Sequence, residues 1–271
     1  MRVRLVALVA GAALALTACG GGGTEAAEDP NAPLKVGVSP TPHGEILEYV
    51  DDNLAQQAGI DLEIEQFNDY IRPNEALQHG ELDANYFQHQ PYLENYQAQH
   101  GGTELVWVEP VHLEPLAMYS KDHDTPEQIP NGSVITLPND PANQFRALKL
   151  LENAGLITLK PEAAVGTRLA EAVADNPRQL QLKDLSPDQL PRTVEDSAAA
   201  VVNGNYAVKA GLQDPVFVES AEGSPYANGL VTSPRMADDP RIAKLAELLR
   251  SPEVEQFIDQ EYGGVAVVPA R

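Results

Sequence analysis

Residues 34–57 read LKVGVSPTPHGEILEYVDDNLAQQ. The opening Leu34-Lys35-Val36-Gly37-Val38 has the apolar character of a buried strand. From Glu45 to Gln57 the apolar residues Ile46, Leu47, Val50 and Leu54 recur at helical spacing and fall on one face. The pair then repeats. Leu62, Ile64 and Phe67 predict a second strand, and Glu75 to Gly80 a short helix ended by glycine. Leu82-Asp83-Ala84 opens a third strand, a helix starts near Pro91, and Leu105 to Val111 reads as a further strand. Strands that alternate with helices specify an α/β sheet with crossover connections.

Outward from this unit the series starts again. Pro115 to Ser120 reads as a strand with a polar stop, and the Asp122-His123-Asp124-Thr125-Pro126 loop is the expected crossing into a second lobe. Val134 to Leu137 is strand-like, and Asp140-Pro141 supplies an N-cap with proline at the first helical position for a helix reaching Gly155. Leu180–Leu185, Ala198–Val202, Val216–Val218 and Leu230–Thr232 also read as strands. After Pro240 come two amphipathic helices, Arg241–Arg250 and Glu253–Tyr262, and an apolar tail from Gly264 to Pro269, expected to pack back on the first lobe. The expected division is residues 34–118 with 225–271 as lobe one and 119–224 as lobe two.

The N-terminus has a different character. Arg2 and Arg4 precede an uncharged apolar run from Leu5 to Leu16 and the small-residue ending Leu16-Thr17-Ala18-Cys19. This is the pattern of a secretory signal peptide over residues 1–18. The run is shorter than the roughly 20 apolar residues that span a bilayer. Cys19 is the single cysteine of the 271 residues, which excludes an intramolecular disulfide framework. The glycine tract beside it has nothing with which to bury it. The four-residue ending resembles a bacterial lipobox, which implies cleavage before Cys19 and a lipid on its thiol, diacylglycerol with palmitate. Residues 19–33, rich in Gly, Ala, Glu, Asn and Pro, read as a flexible tether. Loss of the two leader arginines takes the formal charge from -22 to -24. So acidic a chain is not drawn to nucleic acid or to an anionic membrane surface by charge.

A free amino acid needs a cation for its carboxylate, acceptors for its ammonium and a slot for its side chain. Arg146 lies in the first two turns of the Asp140-capped helix, where its guanidinium fork and nearby backbone N–H groups suit a carboxylate. Asn143, three residues earlier, shares that face. A solvated surface arginine fits the local sequence equally well. The run Ala84-Asn85-Tyr86-Phe87-Gln88-His89-Gln90-Pro91-Tyr92 concentrates aromatics, a histidine and amides in one strand-to-helix turn, where α/β sheets place ligands. Phe87, Tyr92 and Tyr70 suit the walls of a slot for a flexible thioether, since sulfur lies favourably against aromatic edges. Asn203, Asn205 and Asn228 are equally explained as turn formers.

Seven blocks, in order, carry a resemblance across the chain beyond the tether. They are Pro42-His43-Gly44-Glu45-Ile46-Leu47; Asp69-Tyr70-Ile71-Arg72-Pro73-Asn74-Glu75-Ala76-Leu77; Leu82-Asp83-Ala84-Asn85-Tyr86-Phe87-Gln88-His89; His112-Leu113-Glu114-Pro115; Pro138-Asn139-Asp140 with Asn143, Arg146 and Ala147-Leu148; Leu190-Pro191-Arg192 with Asn203-Gly204-Asn205-Tyr206-Ala207; and Pro225-Tyr226-Ala227-Asn228. Together they resemble the methionine-binding lipoprotein family of the NlpA/MetQ type. The resemblance implies a two-lobed, type II periplasmic-binding-protein fold with mixed sheets flanked by helices and the ligand in the interlobe cleft. It assigns Tyr70, Phe87, His89 and Tyr92 to a methionine side-chain slot, Arg146 with Asn143 to the carboxylate, and Asn203 with Asn228 to the amino-acid backbone. It further implies a monomer held on the extracytoplasmic face of the cell membrane by its lipid. Its partners would be an ABC permease and a separate ATPase. Two departures bear on ligand choice: glycine at 204, where relatives usually carry a larger residue, and the residues after Pro115. Relatives also take D-methionine, methionine derivatives, dipeptides or related amino acids.

Two other classes compete. A metal-uptake lipoprotein needs a compact His and carboxylate set; His112 and Glu114 share one face of a strand, and only the fold can bring His43 or His89 to them. An enzyme would use His89 and a carboxylate for acid-base work. No nucleophile elbow, phosphate loop or metalloprotease motif is present. The expected protein is therefore not an enzyme, with no cofactor, no catalytic residue and no metal ligand.

Overall fold

Strand β1 (Leu34–Val38) forms at the first apolar run, with Leu34, Val36 and Val38 fully buried. The computed structural model describes residues 32–263 and 266–270. The expected signal peptide, Cys19 and all but the last two residues of the expected tether lie outside the described residues. After β1 come helix α1 (residues 45–58), β2 (Leu62–Gln66), α2 (Arg72–Gln78), β3 (Ala84–His89), α3 (Gln90–His100) and β4 (Val106–Leu113). β2 and β3 flank β1 and run parallel to it, as crossover helices require.

The run expected as a strand-to-helix turn is a complete buried strand, Ala84–His89, followed at once by α3. Its polar residues are buried because an amide network satisfies them: Asn74, Asn85 and Gln88 bond one another at 2.7 to 2.9 Å.

The chain continues through β5 (Ala117–Tyr119), β6 (Val134–Pro138), α4 (Pro141–Asn153), β7 (Thr158–Leu159), β8 (Val173–Asp175), β9 (Gln181–Leu185), β10 (Ala199–Val202), α5 (Gly204–Ala210) and β11 (Phe217–Val218). It ends with β12 (Asn228–Thr232), α6 (Pro240–Leu249), α7 (Pro252–Tyr262) and β13 (Val268–Pro269). One mixed sheet has the order β13-β4-β12-β3-β1-β2 and the other β11-β5-β10-β6-β9; β7 and β8 pair separately. β5 belongs to the second sheet, antiparallel to β10 and β11. The chain therefore changes sheets at residues 114–116, before the Asp122–Pro126 loop expected as the crossing. Pro115, without an N–H to give the ladder, stands at that break.

Each sheet has its own core. Leu34, Val36, Ile46, Leu47 and Val50 pack with Ile242, Leu245, Leu249, Val254 and Ile258, so α6 and α7 return to the first sheet. Leu116, Met118, Ile135, Leu137, Leu148 and Leu151 anchor the second core. β12 slots between β3 and β4, antiparallel to both, and its first residue, Asn228, pairs with His89 on one side and His112 on the other. That register brings β3, β4 and β12 to one point. No described helix is long and apolar enough to cross a membrane.

Candidate functional site

Beyond the carboxyl ends of β1, β3, β4 and β10 a narrow cavity is lined by Tyr70, Phe87, His89, Tyr92, Asn143, Arg146, Asn203 and Asn228, the eight residues singled out in the sequence. They come from segments far apart in the chain. His89 closes β3 and caps α3, its Nδ1 accepting from the Tyr92 N–H at 3.1 Å. That bond leaves the proton on Nε2, which donates to Asn143 Oδ1 at 3.1 Å. Asn143 is tied in turn to the N-cap: Asp140 Oδ1 accepts from its backbone N–H at 2.9 Å and both carboxylate oxygens accept from its amide. Burial, with the Arg146 charge second, pushes His89 down to about 3. The imidazole is therefore neutral at pH 7.

Tyr70, Phe87 and Tyr92 surround one end of the cavity with ring centroids 5.8 to 6.0 Å apart. The Tyr92 hydroxyl donates to the Tyr70 carbonyl at 2.9 Å and the Tyr70 hydroxyl to Asn205 Oδ1 at 2.6 Å. These bonds satisfy the polar tips and leave apolar ring faces for a ligand.

Arg146 is buried, not a solvated surface residue. Its Nε lies 3.0 and 3.1 Å from the two Glu219 oxygens, and its Nη2 bonds Glu219 and, at 2.8 Å, the Glu114 carbonyl. The guanidinium also lies 4.3 Å over the Tyr226 ring. The sequence suggested a freely available fork; the fold holds one edge of it on Glu219 and leaves Nη1 as the remaining edge. Asn203, which precedes α5, keeps an unpaired buried Oδ1.

The cavity also contains His43, Gln88, Glu114, Gly204 and Asn205, which sequence reasoning did not assign to a ligand. Their signal was present in the Pro42-His43-Gly44 and His112-Leu113-Glu114-Pro115 blocks. His43, His112 and Glu114 place metal-type donor atoms within 4.8 Å of one another, so the fold does bring His43 to the pair, while His89 is held elsewhere by Asn143. His112 Nε2 lies 2.8 Å from Glu114 Oε1, and the Tyr86 hydroxyl bonds His112 Nδ1. Burial pushes His43 and His112 to about 3 and raises the Glu114 carboxyl. The glycine departure at 204 has a steric cause, because a Cβ there would sit 2.5 Å from Glu114 Cβ.

A larger groove, about 760 Å³, is lined by Trp107, Pro110, Leu113 and Pro225 among others, but lacks such convergent polar groups.

The comparisons with known proteins agree with this architecture. The D-methionine-binding lipoprotein MetQ of Escherichia coli (strain K12) is 38% identical over 259 residues, which cover 94% of this chain and 93% of that one. The structure of a nutrient binding protein from Burkholderia cenocepacia bound to methionine matches with a TM-score of 0.84 at 38% identity, over 88% of this chain and 100% of that one. An ABC transporter periplasmic substrate-binding protein from Coxiella burnetii matches with a TM-score of 0.82 at 35% identity, again over 88% and 100%. The fold is the two-lobed one of such binding proteins. Residues 34–271 match the NlpA lipoprotein family, and the chain belongs to it.

Proposed function

We propose that this protein is the substrate-binding component of an ABC importer, capturing methionine outside the cytoplasm and handing it to a membrane permease driven by a separate ATPase. The observation that carries this reading is the convergence of two unlike surfaces in one cavity. An aromatic enclosure of Tyr70, Phe87 and Tyr92 faces a polar end with Asn143, Arg146, Asn203 and Asn228. A thioether side chain fits the first and an amino-acid backbone the second.

In this reading Arg146 Nη1 takes the carboxylate, with His89 and Asp140 holding Asn143 in place beside it. The ligand bridges elements of both sheets, so binding favours the closed arrangement by population shift. Residues 34–116 and 226–271 make one lobe and residues 117–218 the other. Cleavage before Cys19 and lipidation of its thiol leave a monomer tethered to the outer face of the cell membrane. The tether acts by raising the local concentration of binder at the permease. Binding occurs without turnover, since no described group is paired as nucleophile and base against a reacting centre.

Native mass spectrometry of freshly purified protein tests the ligand. The expected adduct is one unmodified methionine per chain. An adduct of another mass, such as a methionine derivative or dipeptide, redirects the ligand, and stoichiometric metal without an amino acid overturns the reading.

A further inference from the structure

We infer that Glu114, together with His43 and Asn203 Oδ1, forms a seat for the ligand's α-ammonium and thereby restricts the site to ligands with a free amino group. The inference rests on the amino-acid reading of the cavity. Its starting point is a concentration of unsatisfied buried atoms. Among the described residues, four buried side-chain polar atoms have no hydrogen-bond partner, and three of them belong to cavity residues: His43 Nδ1 and Nε2, and Asn203 Oδ1. Buried polar groups are normally paired, so an unpaired set around one cavity marks the place of a polar ligand group.

The set has a definite sign. Asn203 Oδ1 is an acceptor, a neutral imidazole offers one accepting nitrogen, and Glu114 is an acceptor when ionised. His43 Nε2 lies 3.3 Å from Glu114 Oε1, so the two groups face the same small volume. An ammonium, with three N–H donors and no acceptor, is complementary to all three. The charge balance agrees. Arg146 spends its ion pair on Glu219 and offers Glu114 only a bond to its backbone carbonyl, which leaves the Glu114 carboxylate without a cation.

The carboxylate is also held in position. The Tyr86 hydroxyl donates to His112 Nδ1, which places the proton of that ring on Nε2 and directs it to Glu114 Oε1. Gly204 lies against the Glu114 side chain with no room for a Cβ. A divalent cation is disfavoured by the same bonds: both His112 nitrogens are already committed, so only two donors of the triad are left, fewer than a closed site requires.

Calorimetric titration of wild-type and Glu114→Gln protein with methionine and with 4-(methylthio)butanoate, its deaminated analogue, tests the seat. Wild type is expected to prefer methionine by about a hundredfold; Glu114→Gln should lose about tenfold or more in methionine affinity and leave the analogue unaffected. A variant that keeps the wild-type preference overturns the inference. If the variant fails to fold, as judged by its melting curve, wild type still decides: equal affinity for the two ligands overturns the seat. A divalent ion retained by wild type in stoichiometric amount and lost on Glu114→Gln also overturns it, in favour of a metal. If wild type ignores methionine altogether, the methionine reading fails instead. The seat is then judged on the amino acid found by native mass spectrometry, against that ligand's own deaminated form.

Discussion

Arg146 shows how a single side chain acquires its role from its neighbours. A guanidinium with one edge fixed on Glu219 and its plane stacked on Tyr226 cannot swing to solvent, so Nη1 is presented to the cavity in one orientation. The ion pair is buried, with Arg146 4% and Glu219 12% exposed. Replacing Arg146 with alanine removes the carboxylate partner and strands Glu219. Methionine affinity is expected to fall by about two orders of magnitude, corresponding to roughly 3 kcal/mol for a buried charge-assisted contact. Equilibrium dialysis with labelled methionine measures the loss, and unchanged binding would remove Arg146 from the site. Stability should fall as well, because a carboxylate remains buried without its cation.

At the scale of elements, helix α4 links local sequence most directly to the site. Asp140 caps it, Pro141 fills its first position, and the cap then positions Asn143. Asp140→Ala is expected to cost about 1 to 2 kcal/mol of stability, seen as a lower unfolding midpoint, and to weaken ligand binding by releasing Asn143. This helix was legible beforehand because N-capping is a short-range signal. So were β1, α1, α6 and α7, whose apolar periodicity is complete within one element. What local sequence did not reveal was relative placement. Glu114 and His43 lie 71 residues apart and meet only because β1 and β4 end near the same point, where β12 enters between β3 and β4. The Arg146–Glu219 pair similarly joins α4 to the segment after β11, and no pattern in either segment names the other. β7 and β8, two and three residues long, are too short to show any period. The crossing between sheets was placed late because β5 was read with the strands before it, whereas its pairing partners, β10 and β11, come about 80 to 100 residues later.

For the whole molecule, the cost of a buried polar site should appear in its pH dependence. His43, His89 and His112 are all pushed down to about 3 by burial, from an ordinary value of 6.5. The unfolded chain therefore binds up to three more protons than the folded one as pH falls below about 6.5. Their contribution to stability is complete above that pH and is lost on acidification toward 3, at roughly 1.4 kcal/mol per pH unit for each histidine. Glu114 and Asp140 act in the opposite sense, because their carboxyls are raised, chiefly by burial. The stability they contribute is present below the ordinary carboxylate range and disappears as pH rises through their folded values. Three groups outweigh two between pH 7 and pH 5. Urea unfolding at these two pH values should show the protein less stable at pH 5, and equal or greater stability there would contradict the neutral, buried state of the histidines.

The account stands or falls on whether the cavity between the two sheets holds methionine. Calorimetric titration of methionine into ligand-free protein tests this most directly. One saturable site per chain is predicted, with a negative heat-capacity change from burial of the thioether among Tyr70, Phe87 and Tyr92. Absence of saturable heat up to millimolar methionine, in protein shown to be folded and free of ligand, would contradict it.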